Sequence, residues 1–375
     1  MIPYSRQSID QNDIDEVVRV LQSSHLTQGR EVELFEEAIC EYIGSAHAIT
    51  FNSATSALLA AYMACGIGEG DEIITTPISF VATANMFVSL GAKPIWCDVR
   101  LDGNIDASRI EALITPKTKA IVPVAFAGKP VAIEKILELA KKHNLIVIED
   151  ASHAFGSAID GKKTGTFAPM SIFSFHAIKP LTTGEGGCIT TDDASLACKL
   201  RLIRSHGVVK KQLWNSDMPS LGYNFRLTEF AAALGRSQLG RLDSFLEMRE
   251  KIARYYDERL GAHKLFTTIK LNENIRSSRH LYPVLLNPTL HCVKEEIFEA
   301  LHAKGLGVQV HYKPIYQNSF YKEKFGATRL DVAEDFYRSE LSIPCHQEMT
   351  LDDAAKVADT LLEVLEAYKH RGCSF

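Results

Sequence analysis

The chain has 375 residues, 46% of them hydrophobic and 23% charged, enough for about two packed domains, one of them with a many-stranded sheet. Its 41 basic and 46 acidic residues give a formal charge of −5, which excludes the large positive field that nucleic acid or an anionic membrane surface requires of a partner. A phosphorylated ligand must then be held by local donors.

The start, Met1-Ile2-Pro3-Tyr4-Ser5-Arg6, has no basic stretch followed by an apolar one, so no secretory signal is expected and the cytoplasm is the default location. Uncharged windows at 48–68 and 73–92 have the length of a membrane span. Asn52, Ser53, Thr55 and Ser56 in the first, and Thr75, Thr76, Ser79, Thr83 and Asn85 in the second, describe instead buried segments around a polar site. Cys40, Cys65, Cys97, Cys188, Cys198, Cys292, Cys345 and Cys373 are scattered without a Cys-x-x-Cys pair, so reduced buried thiols are expected rather than a metal site or a disulfide framework.

In chain order, β-rich runs at 48–51, 72–76, 94–99, 120–124, 145–150 and 172–175 alternate with helical patterns over 53–65, 79–90 and 131–143. This alternation predicts an α/β fold, a mostly parallel sheet flanked by helices on both faces. Ligands in such folds gather at the carboxyl ends of the strands, where Thr75-Thr76-Pro77, Asp150 and Ser174 would lie. Beyond residue 240, Phe245, Met248, Ile252, Tyr255 and Arg259 recur at helical spacing and lead into a smaller α+β unit. Its expected elements are strands at 280–286 and 308–312, a helix over 293–304 and a closing helix over 351–368. The expected division is a large domain over 1–240 and a small one over 241–375.

Ser174-Phe-His-Ala-Ile-Lys179-Pro-Leu-Thr-Thr-Gly-Glu-Gly-Gly187 sets a single lysine among apolar, hydroxyl and glycine residues. Desolvation disfavours an ammonium, so Lys179 is the candidate for a reactive amine that bonds covalently to pyridoxal 5′-phosphate. A solvated surface lysine is the competing reading. Leu145-Ile-Val-Ile-Glu149-Asp150 ends an apolar strand in two acids. Asp150 is the one chosen to face the ring nitrogen of that cofactor, keeping it protonated so that the ring can withdraw electrons; a cap on the following segment is the alternative. His153 is placed to reach the cofactor's phenolate oxygen or is merely structural. Asn52-Ser-Ala54-Thr55-Ser opens a helix after a strand, where unpaired amides and hydroxyls suit a phosphate, and Ser174 is a second phosphate donor. Phe80 is either core or a stacking partner for a planar ring.

Taken in order, Phe51-Asn-Ser-Ala-Thr-Ser-Ala-Leu, Thr76-Pro-Ile-Ser-Phe, Glu149-Asp-Ala-Ser-His-Ala-Phe-Gly, Ser174-Phe-His-Ala-Ile-Lys and Gly222-Tyr-Asn-Phe-Arg-Leu resemble the DegT/DnrJ/EryC1 family of sugar aminotransferases. The resemblance runs over most of the chain and also takes in Leu26-Thr-Gln-Gly, Ser205-His-Gly and His311-Tyr-Lys-Pro. It implies a fold-type-I pyridoxal phosphate enzyme, a homodimer with sites at the subunit boundary. By position it implies Lys179 as the covalent anchor, Asp150 at the ring nitrogen, Phe80 stacking, and Ser174 with Ala54 and Thr55 as phosphate cradle. Asn224 would reach the phosphate from the other subunit; Thr27, His311 and Tyr312 would touch a sugar nucleotide, and Arg226 the carboxylate of the amino donor. Many members carry glycine at the position of Ala54 and glutamine at that of His153. Thr75-Thr-Pro-Ile-Ser-Phe and Val310-His-Tyr-Lys-Pro-Ile-Tyr-Gln resemble most the branch that serves pseudaminic acid biosynthesis. For that branch the expected reaction moves the amino group of L-glutamate to the 4-keto carbon of a UDP-linked 4-keto-6-deoxy-N-acetylhexosamine, with amination of a 3-keto or another nucleotide-linked keto sugar as the alternative. Relatives that act as sugar dehydratases replace the lysine with histidine, and a non-catalytic sugar-nucleotide binder would lose Lys179, Asp150 or the cradle; this chain keeps all of them.

Overall fold

A computed structural model describes residues 1–261 and 263–371. Two helices, α1 (Gln11–Leu21) and α2 (Arg30–Ile43), precede the expected alternation of β1 (His47–Phe51), α3 (Ala54–Ala64), β2 (Glu72–Thr75), α4 (Ala82–Ser89), β3 (Lys93–Trp96), β4 (Thr118–Val122), α5 (Ile133–Lys142), β5 (Ile146–Asp150) and β6 (Met170–Ser174). Then come β7 (Gly187–Thr191), α6 (Ala194–Arg204) and the 32-residue α7 (Glu229–Leu260).

The seven strands lie in the order β1-β7-β6-β5-β4-β2-β3. From β6 to β3 every neighbour is parallel, whereas β7 runs antiparallel to both β1 and β6. The sheet is therefore mostly parallel, as expected, with one reversed strand. Alternate side chains feed two cores. Ala48, Ile74, Ile121 and Val147 pack with α2, α5 and the first half of α7, while Ile49, Ile73, Ala120 and Ile148 pack with α3, α4 and α6. Such a two-sided sheet explains why its strands read as continuous apolar runs.

A second unit holds β8 (Phe266–Thr268), β9 (Tyr282–Leu286) and β10 (Glu340–Ile343) in one antiparallel sheet, covered by α8 (Lys294–Ala303) and α9 (Leu351–Tyr368). Ile252, Ala253, Tyr256 and Leu260 of α7 belong to this core, whereas Leu239, Leu242 and Leu246 belong to the first. A division at residue 240 falls inside this continuous helix, and we propose α7 as the element shared by the two units. The expected strand at 308–312 is absent: Gln309 makes a single bridge to Ser342, and His311 gives its amide to the Glu340 side chain instead of to a ladder. The helix expected from Ser79 starts at Ala82; the residues before it bend, the Ile78 amide donating to the Thr76 hydroxyl, and bring Ser79 and Phe80 to the cavity.

Cys40, Cys65, Cys97, Cys188, Cys198 and Cys345 are free thiols; Cys97, Cys188 and Cys345 are buried as expected, whereas Cys40 and Cys65 are half-buried and Cys198 is exposed. Cys292 is disulfide-bonded, which corrects the expectation of a reduced thiol there; Cys373 lies outside the described residues.

Candidate active site

Four parallel strands reach a common edge, and the segments leaving β2, β4, β5 and β6 there enclose a cavity of about 340 Å³. Ala54, Thr55, Phe80, Asp150, His153, Ser174, Lys179 and Tyr312 all line it. Sequence positions up to 258 residues apart thus converge on one cleft at the carboxyl ends of the strands.

Lys179 sits in the connection between β6 and β7 and is 8% exposed. Its amide donates to the His176 carbonyl, and the Ser5 hydroxyl donates to the carbonyl of Ile178, so the N-terminal strap anchors the loop beside the lysine. Burial pushes the amine down to about 7, against the pull of Asp150 and with the help of Arg249. A substantial neutral fraction is therefore present at physiological pH.

Asp150 ends β5 with its carboxylate in the cavity wall. The Thr83 hydroxyl donates to one oxygen at 2.7 Å, and the Ser152 hydroxyl and amide donate to the other at 2.6 and 3.2 Å. Three donors keep an acid that is only 4% exposed in one orientation. Its neighbour Glu149 faces the opposite side of the sheet, where it accepts from Ser171 and burial pushes it up to about 7. The pleat decides between the two acids, and it selects Asp150.

At the other end of the cleft, Ser53 caps α3, taking the Ser56 amide on its hydroxyl oxygen and the Ala57 amide on its carbonyl. The amides of Ala54 and Thr55 precede these and are open to an anion at the positive end of the helix. The strand β7 passes directly behind. A Cβ on Gly187 would lie 2.5 Å from the Ala54 nitrogen and 2.7 Å from the carbonyl carbon of Ser53, so only glycine permits this approach. Gly187→Ala is expected to cost about 2 kcal/mol and, by displacing the α3 terminus, to weaken pyridoxal phosphate at least tenfold; calorimetric unfolding and a cofactor titration measure the two effects.

His153 is buried with its Nε2 3.2 Å from the Tyr312 hydroxyl, and its Nδ1 has no partner. Burial, with Lys179 nearby, holds it well below its usual range and so neutral. Phe80 is 59% exposed at the cavity, which removes the core reading and leaves its ring face for a planar ligand.

Other predicted residues stand apart. His311 lies just behind Tyr312, with ring centroids 4.9 Å apart. Its Nδ1 meets the Ser342 hydroxyl, which donates to Glu340. Burial brings His311 down to about 3. Thr27, Asn224 and Arg226 lie outside the cavity, Thr27 and Asn224 exposed and Arg226 half-buried. Residues not anticipated are Thr83 and Ser152, which clamp Asp150, and His280, whose Nε2 lies 3.2 Å from the Lys179 amine. Thr83 and Ser152 carry an ordinary polar signal; His280 carries none, being 101 residues from its partner.

The family model of DegT/DnrJ/EryC1/StrS aminotransferases matches residues 7–362. The chain belongs to that family. It is a nucleotide-sugar aminotransferase. It is 52% identical over 376 residues, with 100% of both chains covered, to the UDP-4-amino-4,6-dideoxy-N-acetyl-beta-L-altrosamine transaminase of Campylobacter jejuni. It superposes on Helicobacter pylori PseC, an aminotransferase involved in pseudaminic acid biosynthesis, with a TM-score of 0.96 and 46% identity, covering 98% of this chain and 99% of that one. A putative sugar aminotransferase of Streptococcus pneumoniae, solved in its PLP-form, matches with a TM-score of 0.93 at 28% identity, covering 98% and 99%.

Pyridoxal phosphate is the cofactor of DegT/DnrJ/EryC1/StrS aminotransferases, and this cleft fits it. The open amides of α3 suit its phosphate, the unpartnered His153 Nδ1 a polar ring substituent, the Asp150 carboxylate a protonated ring nitrogen, and the buried amine of Lys179 its aldehyde.

Proposed function

We propose that the chain transfers the amino group of L-glutamate to the 4-keto carbon of a UDP-linked 4-keto-6-deoxy-N-acetylhexosamine, in the route to pseudaminic acid. The observation that carries this reading is the buried Lys179 opposite Asp150 in a chain that matches a UDP-amino-sugar transaminase end to end at 52% identity. Lys179 is the covalent anchor, with Asp150, His153, Ser174, Ala54, Thr55 and Phe80 as cofactor contacts. When bound, pyridoxal phosphate supplies the electron sink that makes a carbon-bound proton acidic. Lys179 then works as acid and base: its neutral amine takes the proton from the donor carbon, and its ammonium returns one to the sugar carbon from the same face, setting the configuration of the new amine. Asp150 holds positive charge at the ring nitrogen through both halves.

Thr27, His311 and Tyr312 are the proposed sugar-nucleotide contacts, and Arg226 the donor carboxylate contact. The exposure of Asn224, and of Leu213 and Trp214 on the neighbouring hairpin Val209–Gln212/Asn215–Asp217, supports a homodimer that completes the cleft. No helix among the described residues is long and apolar enough to cross a membrane; we place the enzyme in the cytoplasm.

The test follows the visible spectrum of the cofactor-loaded chain as glutamate is added, then supplies the UDP-4-keto sugar and locates the new amine by NMR. Loss of the visible band with glutamate and an amine at C4 are expected; an amine at C3, or no reaction with glutamate, overturns the proposal. The rate of the glutamate half-reaction should fall below about pH 7, because the amine that must accept the proton titrates there; a stopped-flow pH series checks the sign.

A further inference from the structure

The immediate surroundings of the Lys179 amine hold four further titratable side chains from three segments of the chain. These are Asp150 at the end of β5, His153 after it, His280 before β9, and His311 behind Tyr312, with the Arg249 guanidinium of α7 beyond. Among the described residues only His280 hydrogen-bonds the amine, at 3.2 Å between Nζ and Nε2. Its ring is 1% exposed and packs on that of His153 with centroids 4.4 Å apart.

The backbone that carries His280 is tightly held. Arg249, fully buried, donates from one nitrogen to the carbonyls of Arg279 and His280 at 3.1 and 3.3 Å and to that of Cys345 at 2.8 Å. Ser278 is tied to His153 through its hydroxyl and to Ser157 through its amide. Arg279 adopts a left-handed backbone at φ 47° and secures its own guanidinium on Glu250 and Asp257. A residue of no known part in the chemistry is thus fixed from both sides, and among the described residues the one hydrogen-bond partner of its ring is the reactive amine.

We propose that His280 is a positioning residue for Lys179: its neutral ring accepts a hydrogen bond from the lysine ammonium and so sets both the direction and the acidity of that amine. Proton accounting assigns the tautomer. In its ammonium form the amine can only donate, so in that state Nε2 is unprotonated and the ring proton lies on Nδ1, which has no partner among the described residues. Protonation of the ring would place two cations 3.2 Å apart in a buried site, and burial together with Lys179 already opposes it. The inference rests on the reading of Lys179 as the reacting amine, not on the identity of the sugar.

His280→Leu removes the acceptor, and His280→Gln keeps one on its amide oxygen. In the cofactor-free full-length chain, the pH dependence of Lys179 acetylation by a water-soluble reagent, read by peptide mass spectrometry, reports the acidity of the amine. The wild type is expected to show a midpoint near 7. The Leu variant should titrate about one pH unit lower, because an ammonium loses a charge-assisted hydrogen bond, and the Gln variant close to wild type. In the loaded enzyme the Leu variant should lose about tenfold in the rate of the glutamate half-reaction, with its apparent glutamate affinity unchanged, and Gln should restore most of it. Should the Leu variant not fold, His280→Phe takes its place. An unmoved midpoint in the apolar variant, or equal losses in the Leu and Gln variants, overturns the proposal. A wild type that does not respond to glutamate while the midpoint still moves refutes glutamate as the amino donor and leaves the role of His280 standing.

Discussion

Cofactor-free Lys179→Met is expected to be more stable than the wild type at pH 7, and devoid of transaminase activity once pyridoxal phosphate is supplied. The stability gain follows from the buried amine. In the folded chain Lys179 titrates at about 7 against 10.5 when solvated, so between those values the unfolded state binds the extra proton. A group with a depressed cationic pKa opposes folding. Its penalty is full below pH 7, shrinks as pH rises from 7 toward 10.5, and vanishes above it. At pH 7 the penalty is on the order of a few kcal/mol, and methionine, of similar length and without charge, removes it. Denaturant unfolding of both proteins from pH 6.5 to 10 measures the gap, which must narrow as pH rises. A variant no more stable than wild type at pH 7 would mean that the amine is better solvated than its 8% exposure indicates. The same substitution deletes anchor and base together, so turnover should fall by at least about 10³-fold.

That cost also shows which parts of the molecule the sequence made readable. Buried strands announce themselves because a sheet covered on both faces needs apolar side chains on successive positions, as in Ile146-Val-Ile148 and Ile73-Ile74, with polar residues only at the strand ends. Asp150 and Lys179 were legible because a charge at the end of such a run, or a lone amine among small residues, conflicts with local burial and so calls for a function. The segment 308–312 has the same alternation as a strand, but its neighbour β10 is short and turns its Glu340 side chain toward the His311 amide, so the pattern never becomes a ladder. The reversal of β7 was not legible, since glycines at 184, 186 and 187 mark a turn without stating which side of β6 the chain returns to. His280 was out of reach for a different reason. Its meaning lies in a contact between two units, and no periodicity in Ser277-Ser-Arg-His-Leu records it.

Asp150→Asn is the substitution that separates charge from shape in the cleft, and it should reduce the glutamate half-reaction by about 10²–10³-fold. Asparagine fits the same space. Its amide oxygen can face the Ser152 amide and hydroxyl, and its NH2 the Thr83 oxygen, whose own hydroxyl can turn to Ser79 at 2.7 Å. The fold should therefore change by no more than about 1 kcal/mol, while the negative charge that holds a protonated ring nitrogen is gone. Glu149→Gln is the internal control, one residue earlier on the same strand. That carboxyl is pushed up to about 7 by burial, bonds Ser171 alone among the described residues, and takes no part in the cavity lining, so activity should stay within about twofold. Single-turnover rates with glutamate for the two variants, alongside their unfolding curves, decide the matter. Equal activity losses in both would trace the effect to the strand rather than to a charge aimed into the cleft, whereas a loss confined to Asp150→Asn at unchanged stability places the charge itself in the chemistry.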